Sequence, residues 1–337
     1  MRVGSILGSL ALAILFQNGM AQAEECGPLK MVNSVDLVAA GPNRALVPVS
    51  INGTPKLFLL DTGGGVSHIG RDAAQELGLT LRDSRLKMLD LYGNASTKMV
   101  RLDKFTLGRL TGENIYLQIQ PDPNFGKSTR YVGLFAPDLM GHFDTEIDFN
   151  AYKMNYFSAD HCPGRVVYWP HAALAVVPMT FRKNHIRLPV TVDGRKMMAI
   201  IDTGATNTVM MAEAARRFDV SPETPGNVPL KNRGLEAYGR VFSTLDFDGV
   251  AVKNPHIVIV QDLIGTKDPN NSVRIDNRSK RVDDIEGRPD LLIGMNILKK
   301  LRIYIAFDEQ RLYITEASTP AKLPDTGVPA TTAAPAP

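Results

Sequence analysis

Two stretches of this chain carry the same order of apolar and polar positions. Val47 to Ile51 and Leu188 to Val192 are short runs rich in β-branched residues, and each predicts a strand. Asn52-Gly53 and Asp193-Gly194 follow them. Such dipeptides suit a two-residue hairpin turn in which both residues take positive φ. The return strands, Leu57 to Leu60 and Met198 to Ile201, are apolar at every position, so both of their faces are expected to be buried. Each ends at an aspartate. A short helix is expected after each turn region, near Arg71 to Leu77 and Ala212 to Phe218.

The likeness extends into an internal repeat. Residues 45–79 align without a gap on residues 186–220, at an offset of 141, so that Pro48 falls on Pro189, Gly53 on Gly194 and Asp61-Thr62-Gly63 on Asp202-Thr203-Gly204. Downstream, Leu134-Phe135-Ala136, Asp138 and Phe149 match Leu292-Ile293-Gly294, Asn296 and Phe307, and strands are expected over Ile147 to Phe157 and Ile305 to Thr315. The unit therefore occurs twice. It predicts a mainly β, two-lobed protein with pseudo-two-fold symmetry and short helices. Lobe one is placed at 27–165 and lobe two at 172–318, joined around His161 to His171, where His, Pro and Gly break the pattern. Gly265 to Arg288, rich in Asp, Asn, Lys and Arg, reads as a long mobile loop, and 319–337, rich in Pro, Ala and Thr, as a disordered tail.

A carboxylate directly after an all-apolar strand is unexpected unless something uses it, because burying an unpaired charge is costly. Here it happens at equivalent positions of a repeat. A pseudo-two-fold arrangement would bring Asp61 and Asp202 face to face. Two carboxyls that close share a proton, so that one can act as a base toward a water while the other is an acid toward a carbonyl oxygen. Gly63 and Gly204 permit tight turns, and Thr62 and Thr203 can donate hydrogen bonds across the pseudo-axis.

With these residues the chain resembles the bacterial retropepsin-like aspartic peptidases. The resemblance covers most of residues 45–315 and rests on the two apolar-apolar-Asp-Thr-Gly elements and on Leu292-Ile293-Gly294. It implies a two-lobed β fold, a cleft between the lobes, peptide or protein substrates, no metal or other cofactor, and Ala136 and Gly294 packed beside the catalytic turns. The sequence departs from the family at Gly64, where Ala or Ser is usual, and at Ala136, where glycine is usual. The flap candidates are Tyr92-Gly93 and Tyr238-Gly239, which lie at similar points after the two helices and read either as hairpin tips closing over substrate or as ordinary aromatic packing near a turn. An endopeptidase is the leading reading. A protein of the same fold that binds peptides or assembles the envelope without cutting is the alternative.

The rest of the chain bounds this reading. Its 337 residues are 44% hydrophobic and 22% charged, with a formal charge of only +3. That leaves no dense basic patch for nucleic acid. Arg2, the apolar run Ile6 to Phe16 and Ala21-Gln22-Ala23 read as a signal peptide over 1–23, with an uncleaved anchor as the alternative. The mature chain is then exported, periplasmic or secreted, without a membrane span, and monomeric because both lobes lie in one chain. Outside the cytoplasm Cys26 and Cys162 are expected to pair, two free buried thiols being the other possibility. Asp144, Glu146 and Asp148 alternate along a predicted strand and read as its solvated face. Asp325-Thr326-Gly327 follows a proline rather than an apolar strand and is set aside.

Overall fold

The computed structural model describes residues 26–89, 94–127, 129–232, 235–260 and 289–317. The proposed signal peptide, Tyr92 and Gly93, the whole of the Gly265 to Arg288 loop and the C-terminal tail lie outside the described residues. What is described is mostly β, with short helices.

The hairpins form as their turn residues dictate. Asn52 and Gly53 have φ of 49° and 88°, and Asp193 and Gly194 have φ of 43° and 79°. These turns join Ala45–Ile51 to Thr54–Leu60 and His185–Val192 to Arg195–Ile201. Phe58, Leu59 and Leu60 are buried, as are Ala199, Ile200 and Ile201. Met198, at the head of its apolar run, is instead 40% exposed, so two-sided burial begins one residue later. The helices appear at Arg71–Glu76 and at Ala212–Ala215, the latter continued by a 3-10 turn, Arg216–Phe218.

The strands that end at the aspartates are paired alike. Phe58 to Leu60 lie parallel to Gly133–Phe135, and Ala199 to Ile201 lie parallel to Leu291–Ile293. Each aspartate thus leaves the end of a strand that is hydrogen-bonded on both sides, which fixes where its turn begins. Around this pairing the first half builds an eight-stranded sheet and the second a ten-stranded one, among the described residues.

A third sheet takes strands from both halves. Its order is Met31–Asp36, Lys153–Phe157, Asp144–Asp148, Leu301–Ala306, Arg311–Glu316 and Ala175–Pro178. Asp144–Asp148 therefore sits inside a sheet, between Lys153–Phe157 and Leu301–Ala306. This corrects the expectation of a solvated face: Asp144, Glu146 and Asp148 are all buried. Each is satisfied. Asp144 Oδ2 lies 2.7 Å from His161 Nε2 and its Oδ1 accepts from the Phe307 N–H at 2.9 Å. Glu146 accepts from Arg302 Nε at 2.7 Å and from the Tyr168 hydroxyl. Asp148 pairs with Arg302 at 3.5 Å. The joining segment covers this face, with Val166 and Trp169 buried and the Trp169 indole N–H donating to Thr315 Oγ1 at 2.9 Å.

Cys26 and Cys162 form a disulfide, with their Cα atoms 4.7 Å apart. The sheet explains their meeting. Met31–Asp36 runs antiparallel to Lys153–Phe157, so the residue before one strand lies beside the residue after the other, and the Cys162 N–H donates to the Gly27 carbonyl at 3.1 Å.

Candidate active site

Asp61 and Asp202 meet. The side chain of one hydrogen-bonds that of the other. Their turns interlock so closely that a Cβ on Gly63 would stand 2.4 Å from Asp202 Oδ1, and one on Gly204 would stand 2.5 Å from Asp61 Oδ1. Only glycine lets each turn approach the other carboxyl.

Two layers of hydrogen bonds hold the turns. The backbone N–H of each aspartate reaches across to the neighbouring parallel strand: Asp61 donates to the Phe135 carbonyl and Asp202 to that of Ile293, both at 2.9 Å. Between the turns, the Thr62 N–H donates to Thr203 Oγ1 and the Thr203 N–H to Thr62 Oγ1, each at 3.0 Å. The hydroxyls pass the connection on, Thr62 to the Ile201 carbonyl at 2.7 Å and Thr203 to that of Leu60 at 2.8 Å. Both threonines are fully buried.

The carboxyls take backbone donors in place of hydroxyls. Gly64 N–H donates to Asp61 Oδ1 at 2.9 Å, and the N–H groups of Gly204 and Ala205 both donate to Asp202 Oδ1 at 3.0 Å. These bonds favour the charged form, but burial outweighs them. It raises both carboxyls, and the charge of Asp202 raises Asp61 further, to about 7. The pair thus retains a proton into the neutral range, which is the state a shared acid and base require.

Ala136 and Gly294 lie behind the turns. The Ala136 N–H donates to Ser67 Oγ at 2.9 Å, and the Gly294 N–H to Thr208 Oγ1 at 3.1 Å. A Cβ on Gly294 would come within 2.3 Å of the Asn207 carbonyl, whereas Ala136 is accommodated, fully buried, with its strand anchored to Asp61 as tightly as Gly294's is to Asp202. Sequence spacing alone matches Asp138 with Asn296; the structure gives both a task. Asp138 accepts from the Ser67 hydroxyl at 2.6 Å and from its N–H, and Asn296 Oδ1 accepts from the Thr208 N–H at 2.7 Å and its hydroxyl at 2.9 Å. Ser67 and Thr208, each six residues beyond an aspartate, were not singled out by the sequence; the repeat offset would have paired them.

The flap expectation divides. Tyr92 and Gly93 fall between the paired strands Arg82–Leu89 and Ala95–Leu107, outside the described residues. Tyr238 and Gly239 are not at a tip. They lie inside Leu235–Val241, paired on one side with Val228–Asn232 and on the other with His256–Val260, and Tyr238 is buried. Ala237-Tyr238-Gly239 resembles Leu91-Tyr92-Gly93 in sequence, but its strand is paired through those residues on both sides.

No curated protein matches the chain. The family model for aspartyl proteases matches it twice, at residues 47–134 and 188–297, each match containing one of the two facing aspartates, and on that coverage the chain belongs to the aspartyl protease family.

Proposed function

We propose that this protein is an aspartic endopeptidase whose catalytic groups are Asp61 and Asp202. The observation that carries the reading is the facing of the two buried carboxyls, each so close to the other's turn that only glycine fits there; burial raising both carboxyls agrees with it. In the working state one carboxylate takes a proton from water as that water attacks the peptide carbonyl carbon. The other, protonated, delivers its proton to the carbonyl oxygen; the first then passes the proton it took to the amine nitrogen as the C–N bond breaks, while a hydroxyl of the intermediate returns its proton to the second carboxylate, restoring the starting state. Thr62, Gly63, Thr203 and Gly204 keep the carboxyls in register. Substrates are extended peptide or unfolded protein segments. A binding protein that does not cut would gain nothing from two buried carboxylates that lower its stability at neutral pH.

Export fits the same reading. The N-terminal pattern over 1–23 and the Cys26–Cys162 disulfide both suit an oxidising compartment outside the cytoplasm. The decisive experiment incubates the purified protein, and its Asp61→Asn variant, with denatured casein and a peptide library. Fragments produced by the parent and not by the variant are expected. A correctly folded parent that cuts nothing between pH 3 and 8 would favour the binding alternative.

A further inference from the structure

Asn43 and Asn184 stand at the repeat offset of 141, just upstream of the aligned stretch. Each reaches into the other half. Asn184 Nδ2 donates to the Gly65 carbonyl at 2.7 Å, and Asn43 Nδ2 donates to the Thr206 carbonyl at 3.3 Å. Gly65 and Thr206 are themselves related by the same offset, each four residues beyond an aspartate. Both acceptors are carbonyl oxygens, so the amide nitrogen must face them. For Asn43 the other end agrees, because its Oδ1 accepts from Lys299 Nζ at 2.8 Å.

We infer that Asn43 and Asn184 are positioning residues that brace the two aspartate-bearing loops reciprocally, each from the opposite half. The inference rests on the proposed peptidase reading for its kinetic consequence, though not for its geometry. The threonine pair fixes the loops at their bases, and Ser67 and Thr208 fix them where the next strands begin. Between lies Gly63-Gly64-Gly65 in the first half, a run without side chains to pack. The amide of Asn184 supplies what that run lacks. Its turn is shaped for the purpose: Lys183 and Asn184 have φ of 50° and 59°, closing a tight hairpin between Thr180–Arg182 and His185–Val192. The hairpin sits directly on the loop, since a Cβ on Gly65 would be 3.3 Å from His185 Cε1 and 3.5 Å from the Lys183 carbonyl.

The two braces are unequal. The Thr206 carbonyl also accepts from the Asn296 N–H at 3.1 Å, so it keeps a partner when Asn43 is removed. The Gly65 carbonyl has no second donor among the described contacts. Loss of Asn184 is therefore the more harmful change.

The test uses Asn184→Gly, which keeps the left-handed turn unstrained while removing the amide, and Asn43→Ala. Asn→Asp at each position, of the same size and turn preference, serves where a first variant does not fold. Two quantities are read: kcat and KM on a cleaved peptide, and the titration of the two aspartates followed by NMR of the full chain labelled with 13C at the Asp carboxyls. For Asn184→Gly the expected result is a roughly 10- to 100-fold fall in kcat with KM changed less than about threefold, a smaller fall for Asn43→Ala, and movement of the upper aspartate step toward the ordinary carboxylate range as the loops part. A folded Asn184 variant whose kcat and titration both stay within twofold of the parent overturns the inference, and so does a lowered Tm accompanied by an unchanged titration. If the parent cleaves nothing, the peptidase reading fails, and the titration alone decides: a shift upholds the brace, and no shift rejects it.

Discussion

Thr62 and Thr203 exchange equivalent hydrogen bonds, each backbone N–H donating to the other's hydroxyl at 3.0 Å. Both are fully buried, so either hydroxyl, once lost, leaves the partner's N–H and a strand-end carbonyl unpaired away from water. Thr62→Val keeps the shape and removes the bonds. It is expected to cost about 1–3 kcal/mol for each group left unsatisfied and to abolish most cleavage, because the turns carry the carboxyls. Thr62→Ser, which retains the hydroxyl, should keep most of both. Urea denaturation and casein cleavage on the three proteins test this, and a Val variant as active as the parent would show that the threonines do not set the dyad.

Asp61→Asn and Asp202→Asn should each eliminate cleavage without unfolding the protein. Asparagine keeps the carboxyl's shape but cannot pass a proton. Groups that act as one unit do not contribute additively, so the double variant is expected to be no worse than either single one. Measurable turnover in either single variant, above that of the double, would contradict a two-carboxyl mechanism.

The same carboxyls make stability depend on pH. Asp61 holds its proton to about 7 in the folded state, against about 4 when unfolded. Between those values the folded chain binds more protons than the unfolded one, so this contribution to stability falls as pH rises, by at most about 1.4 kcal/mol per pH unit for one proton. His68 works in the opposite sense. Buried, it is lowered to about 4, so its contribution is lost as pH falls below the ordinary histidine value. Comparing the parent with Asp61→Asn isolates the dyad: the variant should gain stability relative to the parent between pH 4 and pH 8 in urea titrations. A constant difference across that range would mean that the pair is not protonated when folded.

Activity should follow the shared proton. Because Gly64 and Ala205 bring only backbone donors, a bell-shaped profile is expected at mildly acidic pH, roughly 4.5–6.5, with its limbs belonging to the pair. Ala205→Ser offers Asp202 a hydroxyl and should move the acidic limb down. Serine at Gly64 is a poorer probe, since a Cβ there would stand 3.0 Å from Asp61 Oδ2. A parent optimum below about pH 3 on a substrate without ionisable groups would rule out burial as the dominant influence.

How far the sequence could be read followed the kind of force involved. Local forces were legible: Asn52-Gly53 and Asp193-Gly194 take the positive φ their composition demands, and the apolar strands ending at Asp61 and Asp202 were visible as runs. Spacing matched Ala136 with Gly294, and the family resemblance, not the spacing, implied that they pack beside the turns. What failed was pairing between distant segments. Alternation along Asp144–Asp148 looks the same whether its polar face meets water or meets Arg302, and Arg302 lies over a hundred and fifty residues away. Tyr238 was a candidate for a tip because its neighbours resemble Leu91-Tyr92-Gly93, yet a strand's turn is set by the register of its partner, which the sequence does not display.

The shared sheet gives the last prediction. Arg302 joins the halves: it pairs with Glu146 and Asp148 from the first half and stacks over the Trp169 ring at 4.1 Å. Glu146 is fully buried, and the Tyr168 hydroxyl and Asn155 Nδ2 complete its contacts. Removing the cation leaves a buried carboxylate without its charge partner, so Arg302→Met is expected to destabilise the protein by about 3–5 kcal/mol. Glu146→Gln should cost less, because Arg302 keeps Asp148, and adding Glu146→Gln to Arg302→Met should restore part of the loss. Arg302→Lys should not rescue, since an ammonium offers neither the planar fork nor the flat face that Trp169 covers. Urea unfolding of these four variants decides the matter. If Arg302→Met lies within about 1 kcal/mol of the parent, the ion pairs are incidental and the backbone ladder from Thr145↔Ile305 to Asp148↔Arg302 holds the halves together unaided.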